Sequence, residues 1–124
     1  MADIREFVNP DRFFIEFNQL LESNQTFICC ILAAIDNVVS GSSWCPDTDR
    51  AIPNIERHVM YKARLPIVIG NVKERASWVG VKTHPYKLHP IIKAGGVPCV
   101  LLLSAGQVIL RAESKEDFQN KQLL

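Results

Sequence analysis

Cys45 is the residue whose sequence surroundings point most clearly to chemistry. It lies between Trp44 and Pro46, and Asp47 follows. Because proline favours the first position of a helix, this pattern places Cys45 at a helix N-terminus, where unpaired N–H groups and the positive end of the dipole favour thiolate over thiol. The Asp47 carboxylate partly opposes this by repelling a nearby thiolate. Cys45 is therefore predicted to act as a nucleophile.

Thr48 lies three residues beyond Cys45, on the same face of the predicted helix. Its hydroxyl could donate a hydrogen bond to the sulfur, but it cannot form a disulfide. A dithiol reductase needs a second thiolate to attack its mixed disulfide and release product. Three outcomes stay open, in this order of preference: no turnover occurs, Cys99 resolves the mixed disulfide, or an external thiol such as glutathione does.

The other cysteines and the histidines are predicted to be structural. Cys29 and Cys30 are neighbours in an apolar stretch that suits a central strand, so their side chains should face opposite ways and be buried. His58, His84 and His89 show no spacing that indicates metal ligation or a Cys–His dyad. No metal site is predicted.

Composition limits the classes of partner. The formal net charge of +1, from 14 basic and 13 acidic side chains, gives no field that would attract nucleic acid or an anionic membrane. The first residues are charged where a signal peptide would be apolar, and the longest apolar run, 27–35, is too short to span a bilayer. One domain covering residues 1–124 is expected, monomeric and in the reducing cytosol.

The predicted elements alternate as in one α/β domain. Asn9 and Pro10 are typical of a helix start, and Ser114 begins a capping signal for a last helix. Pro53 should kink the second helix, and Pro90 should interrupt the third. Strands are predicted at 4–8, 26–34, 66–72, 98–104 and 107–112, and the last two flank Ala105-Gly106. Helices are predicted to begin at Pro10, Pro46, Pro85 and Ser114, and a polar loop is predicted over 36–43. The apolar face of the helix that begins at Pro46 would comprise Ile52, Ile55, Val59 and Met60.

The order β-α-β-α-β-α-β-β-α, with W-C-P-D at the start of the second helix and Val97-Pro98 at the start of the hairpin, resembles a thioredoxin. Pro53 lies five residues beyond Thr48, as the helix-kinking proline of thioredoxins does, and Pro98 lies where that fold carries its cis-proline. Within the superfamily, the long loop before Trp44 and the W-C-P-D core resemble the thioredoxin domain-containing protein 17 family. That family has W-C-P-D-C, whereas Thr48 occupies the fifth position here.

The resemblance implies a thioredoxin fold, in which a mixed sheet of about five strands has helices on both faces. It implies a cytosolic protein-disulfide reductase that acts on protein or small-molecule disulfides, holds no bound cofactor and receives electrons from thioredoxin reductase and NADPH. Asp47 and Thr48 would flank the nucleophile Cys45. The substrate groove would comprise Trp44, Pro46, Val97 and Pro98.

With a single active-site cysteine, at most monothiol chemistry is expected, and whether the chain is an enzyme stays open. The first hypothesis is a monothiol oxidoreductase that attacks disulfides or removes glutathione from them. The second is a redox-inactive binding or scaffold module that uses the same groove. A third, iron–sulfur or glutathione binding like that of monothiol glutaredoxins, lacks the C-G-F-S motif.

Overall fold

A five-stranded mixed sheet forms the centre of the protein, and from one edge to the other its strands cover residues 4–7, 67–72, 27–33, 99–104 and 107–112. The structure is a computed structural model that describes residues 3–37, 42–55 and 64–113. The strands are β1 (Ile4–Phe7), β2 (Phe27–Ala33), β3 (Ile35–Asn37), β4 (Ser42–Ser43), β5 (Ile67–Val72), β6 (Cys99–Ser104) and β7 (Gln107–Ala112). β5 is parallel to β1 and β2, whereas β6 is antiparallel to β2 and β7.

Helix α1 (Pro10–Glu22) begins as predicted. The Asn9 side chain accepts a hydrogen bond from the Asp11 N–H, and Pro10 occupies the first turn, where it needs no N–H partner. An Asn cap of this kind stabilises a helix by about 1 kcal/mol. Phe13 and Phe17 are fully buried against one face of the sheet.

Strand β2 lies at the centre of the sheet and is buried along its whole length. Cys29 and Cys30 point to opposite faces, as predicted, because side chains alternate along a strand. Cys29 joins the core beneath α1, and Cys30 joins the core beneath α2 (Pro46–Ile55). The predicted arrangement of helices on both faces of a mixed sheet is confirmed.

Helix α2 buries Thr48, Ala51 and Ile55, while Ile52 is only half-buried. The prediction that Ile52 lies on the core face was therefore only partly right: Ala51 takes that place. Pro53 lies inside the helix and is exposed. The other two residues of the predicted face, Val59 and Met60, lie outside the described residues.

Between β5 and β6 the chain forms a 3₁₀ turn (Arg75–Ser77) and the short helix α3 (Pro85–Leu88). α3 ends before Pro90, as predicted, because proline has no N–H to donate and clashes with the preceding turn. Trp78 is buried, and the Lys87 ammonium lies 4.4 Å from the centre of its ring. Trp78 therefore anchors this segment to the core.

The hairpin β6–β7 turns at Ala105 and Gly106, which both have positive φ angles, 51° and 77°. This is the geometry of the two-residue turns that match the twist of paired strands. The loop predicted over 36–43 is in part a small ribbon of β3 and β4, so that prediction was wrong for the ribbon residues. The predicted last helix, from Ser114, lies outside the described residues.

Candidate functional site

The N-terminus of α2 is held by Ser43 and Asp49 around Cys45. The Cys45 carbonyl accepts the first helical hydrogen bond, from the Asp49 N–H at 3.1 Å. The Ser43 hydroxyl donates to the same carbonyl at 3.0 Å and accepts from the Cys45 N–H at 3.1 Å. Asp49 Oδ1 accepts from the Ser43 N–H at 2.8 Å. The backbone at the candidate nucleophile is therefore fixed on both sides.

The Cys45 side chain is half-buried and faces the loop that enters β6. Its Sγ donates a hydrogen bond to the Val97 carbonyl oxygen at 3.6 Å. The peptide bond between Val97 and Pro98 is cis, and both residues are buried. Cys45, Val97 and Pro98 thus lie together, although 52 residues separate Cys45 from Val97 in the chain.

Thr48 is fully buried, and its side chain faces the end of β2. Its Oγ1 accepts a hydrogen bond from the Ala33 N–H at 3.4 Å. Among the described residues no hydrogen bond joins this hydroxyl to the Cys45 sulfur, so the structure does not bear out that possibility. Thr48 occupies a sheltered position one helical turn behind the half-exposed Cys45.

Asp47 points away from the site. Its side chain is 69% exposed and pairs with Arg50 at 3.0 Å, one turn further along α2. Pro46, the first residue of α2, is exposed. The structure therefore gives Asp47 a solvent-facing ion pair at the helix start, a type of contact that contributes little to stability.

Trp44 ties the active-site turn to the sheet. Its indole N–H donates to the Val72 carbonyl at 2.8 Å, and that carbonyl also accepts from the Ala34 N–H at 2.9 Å. The half-buried ring packs against the core beneath α1. Trp44 therefore forms an aromatic wall next to Cys45, and the Val72 carbonyl satisfies its indole N–H.

Cys99 is not bonded to Cys45. It is fully buried, and its Sγ donates to Glu113 Oε1 at 3.2 Å. Burial, together with the Glu113 carboxylate, raises the pKa of the Cys99 thiol far above its ordinary value. Because resolution requires a thiolate, this environment argues against the suggestion that Cys99 releases a substrate from Cys45.

Burial likewise disfavours the thiolate form of the two cysteines of β2. Both are fully buried, and burial raises the pKa of Cys30 to about 12 and that of Cys29 well above its usual range. All four cysteines are free thiols. Of the four, Cys45 alone is accessible to solvent at its side chain.

The sequence interpretation did not single out Ser43 and Asp49, which bond the backbone around Cys45, or Arg111 and Glu113, which bond each other and the loop that enters β6. Ser43 and Asp49 carried a usable signal, because a serine before a helix and an acidic residue in its first turn are typical of helix starts. Arg111 and Glu113 carried none, because their partners at Ile91, Ile92, Gly95 and Cys99 are distant in the sequence and become neighbours only when β7 pairs with β6.

An open depression of about 220 Å³ lies beside the carboxyl end of β5, next to the strand end that holds Trp44. Its lining comprises Val8, Pro10, Asn71, Val72, Lys73, Glu74, Ser77, His84 and Tyr86. Within residues 3–37, 42–55 and 64–113, no group of three or more His, Cys, Asp or Glu side chains is arranged to hold a metal ion. No helix within those ranges is long and apolar enough to cross a membrane.

Solved structures with the same architecture include thioredoxins. Thioredoxin O1 from Arabidopsis thaliana superposes with a TM-score of 0.62 at 11% identity, covering 98% of this chain and 94% of that one. A thioredoxin from Nicotiana alata gives a TM-score of 0.59 at 18% identity, covering 98% of this chain and 91% of that one. The protein therefore has a thioredoxin fold.

The sequence matches one family within the thioredoxin-fold proteins. Residues 10–124 match the family model described as "Thioredoxin domain-containing protein 17-like, thioredoxin domain". The chain belongs to the thioredoxin domain-containing protein 17-like family. Fold and family together support a thiol–disulfide redox type of role.

Two curated relatives come from trypanosomatids. The chain is 33% identical over 90 residues, 68% of its own length, to a protein named acireductone dioxygenase from Leishmania infantum. It is 33% identical over 70 residues, 52% of its length, to a protein of the same name from Leishmania braziliensis. The matched segment spans 25% and 20% of those proteins, so the chain covers a quarter or less of the relatives' length.

Proposed function

We propose that this domain carries out thiol–disulfide exchange with Cys45 as its single active-site cysteine. The observation that supports this best is the placement of the Cys45 sulfur at the start of α2, 3.6 Å from the Val97 carbonyl, while the other three thiols are buried. The expected substrates are protein or small-molecule disulfides. We place the protein in the cytosol as a monomer.

The first step is an exchange of sulfur partners. The Cys45 thiol loses its proton, and the thiolate attacks one sulfur of the substrate disulfide. The substrate S–S bond breaks, a new S–S bond joins Cys45 to that sulfur, and the departing thiolate takes up a proton. No electrons are gained or lost overall, because one disulfide replaces another.

An external thiol completes the cycle. Thr48 cannot attack the mixed disulfide, and the Cys99 thiol is buried and bonded to Glu113. Glutathione would attack the substrate sulfur bound to Cys45, so that the Cys45 thiolate leaves and a disulfide joins glutathione to the substrate. A second glutathione would attack the glutathione sulfur of that disulfide, which releases the substrate thiol and forms glutathione disulfide. Thioredoxin reductase with NADPH is a weaker candidate, because it acts on an intramolecular disulfide that Cys45 and Thr48 cannot form.

The groove for the substrate would be formed by Trp44, Pro46, Val97 and Pro98. Trp44 offers a fixed aromatic wall because backbone holds its indole N–H. Backbone groups beside a cis-proline can pair with an extended peptide, as in strand addition to a sheet edge. We therefore expect disulfides within extended peptides to react faster with Cys45 than small, compact disulfides do.

Glutathione-dependent reduction of a glutathionylated peptide tests the proposal. Wild type should form an adduct on Cys45 and release it when glutathione is added, and Cys45→Ser should lose both reactions. Cys99→Ser, the matched control, should keep both. A wild-type protein that forms no adduct under these conditions contradicts the proposal.

The second candidate function is a binding module without redox turnover. The burial of Thr48 at the position of the resolving cysteine favours it, because the fold at this point is intact without a second thiol. A peptide that binds Cys45→Ser as tightly as wild type would support this function. If the protein instead carries out exchange, Cys45→Ser should not hold the peptide stably, because capture requires a disulfide to the Cys45 sulfur.

A further inference from the structure

The segment 91–98 connects α3 to β6 and carries the Val97 carbonyl that contacts Cys45. No regular element covers this segment. Ile92 and Ala94 are buried, whereas Lys93 between them has a positive φ of 42°. A segment of this irregular shape needs bonds beyond its own backbone to keep Val97 in place.

Arg111 on β7 supplies two of these bonds. Its Nη2 donates to the Ile92 carbonyl at 2.7 Å and to the Ile91 carbonyl at 3.3 Å. Its Nη1 donates to Glu113 Oε1 at 2.7 Å. The planar guanidinium thus joins the beginning of the segment to the Glu113 carboxylate, two residues beyond Arg111, which a compact ammonium could do less well.

Glu113 binds the middle and the end of the segment. Its Oε1 accepts from the Gly95 N–H at 3.2 Å and from the Cys99 thiol at 3.2 Å. A Cβ at Gly95 would lie only 3.1 Å from Glu113 Oε2, so the approach of the carboxylate suits a glycine there. Together Arg111 and Glu113 bind the segment on both sides of Lys93 and again just beyond Pro98.

We propose that Arg111 and Glu113 are positioning residues, which hold segment 91–98 so that Val97 and Pro98 present a substrate peptide to Cys45. The hydrogen bonds described above place neither side chain on the Cys45 sulfur, so they act through the segment. This inference rests on the proposed exchange function of Cys45. Their effect should be large for a peptide that pairs with the segment and small for a reagent that needs only an accessible sulfur.

The test compares Arg111→Met with wild type in three measurements. These are the rate of capture of a glutathionylated peptide by Cys45, the rate of Cys45 alkylation by iodoacetamide, and the hydrogen exchange of the Gly95 amide. We expect peptide capture to slow by about tenfold, since misplacing reacting groups by an ångström has effects of this order or larger. Alkylation should stay within about twofold, and Gly95 exchange should be about tenfold faster.

Conservative and matched variants separate positioning from a general loss of stability. Arg111→Lys should recover part of the peptide capture, because an ammonium can still reach one partner. Glu113→Gln keeps an acceptor for Gly95 but loses the charge, so its effect should be smaller, about threefold. The control is Arg5→Met, since Arg5 also forms an Arg–Glu pair, with Glu16, and should change none of the three rates.

Peptide capture at the wild-type rate in Arg111→Met overturns the proposal, and so does an equal fall in peptide capture and alkylation. If Arg111→Met does not fold, Glu113→Gln decides by the same comparison. If wild-type Cys45 captures no peptide, the proposed function fails by itself. Exchange at Gly95 then decides the positioning role: an unchanged rate in Arg111→Met and Glu113→Gln overturns it.

Discussion

Cys45 and Cys99 lie on either side of the same cis-proline, yet the structure gives them opposite chemistry. Cys45 is half-buried, immediately precedes a helix and donates a hydrogen bond from its thiol to a backbone carbonyl, that of Val97. Cys99 is fully buried, begins a strand and donates its thiol proton to a carboxylate, Glu113. The first can meet a disulfide from solvent, whereas the second would have to lose its proton beside a negative charge in the core.

Because both residues are cysteines, we expect their secondary-structure element and depth of burial to decide which thiol reacts. A cysteine next to the cis-proline was a reasonable candidate for the missing resolving thiol by proximity in the chain. In the structure its sulfur donates a hydrogen bond to Glu113 and accepts one from Arg111, and these two side chains are also paired with each other. Cys99 is therefore best described as part of the support for the loop.

The largest effect should come from Thr48→Cys, which places a second thiol on the Cys45 side. Thr48 is buried one turn behind Cys45, so a cysteine there is in reach of a mixed disulfide and protected from other reagents. Release of a captured peptide without added glutathione should accelerate by at least on the order of a hundredfold, because intramolecular attack has a high effective concentration. Peptide release followed by mass spectrometry measures this.

The matched control is Thr48→Ser, which keeps a hydroxyl and adds no thiol. Its mixed disulfide should be as long-lived as that of wild type. Equal release rates for Thr48→Cys and Thr48→Ser would contradict the assignment of position 48 to the resolving role.

The core on the Cys99 side of the sheet should tolerate no added volume at Gly70. A Cβ there would lie 2.7 Å from the Tyr86 hydroxyl and 3.2 Å from Ile31 Cδ1. Gly70→Ala should therefore lower the free energy of unfolding by about 2 kcal/mol through overpacking. Urea denaturation measures the loss. Gly96→Ala, where a new Cβ meets no atom within 4 Å, is the control and should be close to neutral.

His84 and His89, which precede segment 91–98, should make the free energy of unfolding depend on pH. The Nδ1 atoms of His84 and His89 accept backbone N–H bonds, from Tyr86 and from Ile91 and Ile92 respectively. Burial lowers the pKa of both imidazoles from 6.5, and the charge of Lys87 lowers that of His84 further.

The direction of this pH dependence follows from the protons that the folded and unfolded chains bind. The unfolded chain binds protons near pH 6.5, whereas the folded histidines resist them to lower pH, so stability is complete above 6.5 and falls as the pH drops below it. Urea midpoints at pH about 7.5 and about 5.5 measure the slope. In His89→Asn the amide oxygen can replace Nδ1 as the hydrogen-bond acceptor but does not titrate, so the difference in urea midpoint between the two pH values should decrease. An unchanged difference in the double variant His84→Asn, His89→Asn would show that other groups cause the pH dependence.

The smallest effect is expected from Cys99→Ser. A serine hydroxyl can still donate to Glu113, so the network keeps its bonds, and the rate of peptide release by glutathione should stay within about twofold of wild type. Stopped-flow or quenched reactions measure that rate. A release rate that falls tenfold or more would restore Cys99 as the resolving thiol and break the comparison with Cys45.

Local patterns in the sequence predicted most of the fold. The Asn9 cap, the helix start at Pro10 and the Ala105-Gly106 turn each depend on interactions between near neighbours, and each appears where it was expected. The two-faced burial of Cys29 and Cys30 follows from the alternation of a strand alone.

What the sequence could not predict depends on contacts between distant segments. Thr48 faces Ala33, because the end of β2 offers its hydroxyl a backbone N–H. The partners of Cys99 are a side chain on β7 and one just beyond it, and nothing in the sequence near position 99 indicates them. The role of Cys45 was predicted from its place before Pro46, but its contact with Val97 needed the folded sheet.

The most direct test of the central claim is to identify which cysteine carries the adduct when the folded protein reacts with one equivalent of a glutathionylated peptide. Peptide mapping of the native, non-reduced complex should find the mixed disulfide on Cys45, with Cys29, Cys30 and Cys99 unmodified. An adduct on Cys99, or on several cysteines in comparable amounts, would contradict the account that burial and helix position make Cys45 the reactive thiol.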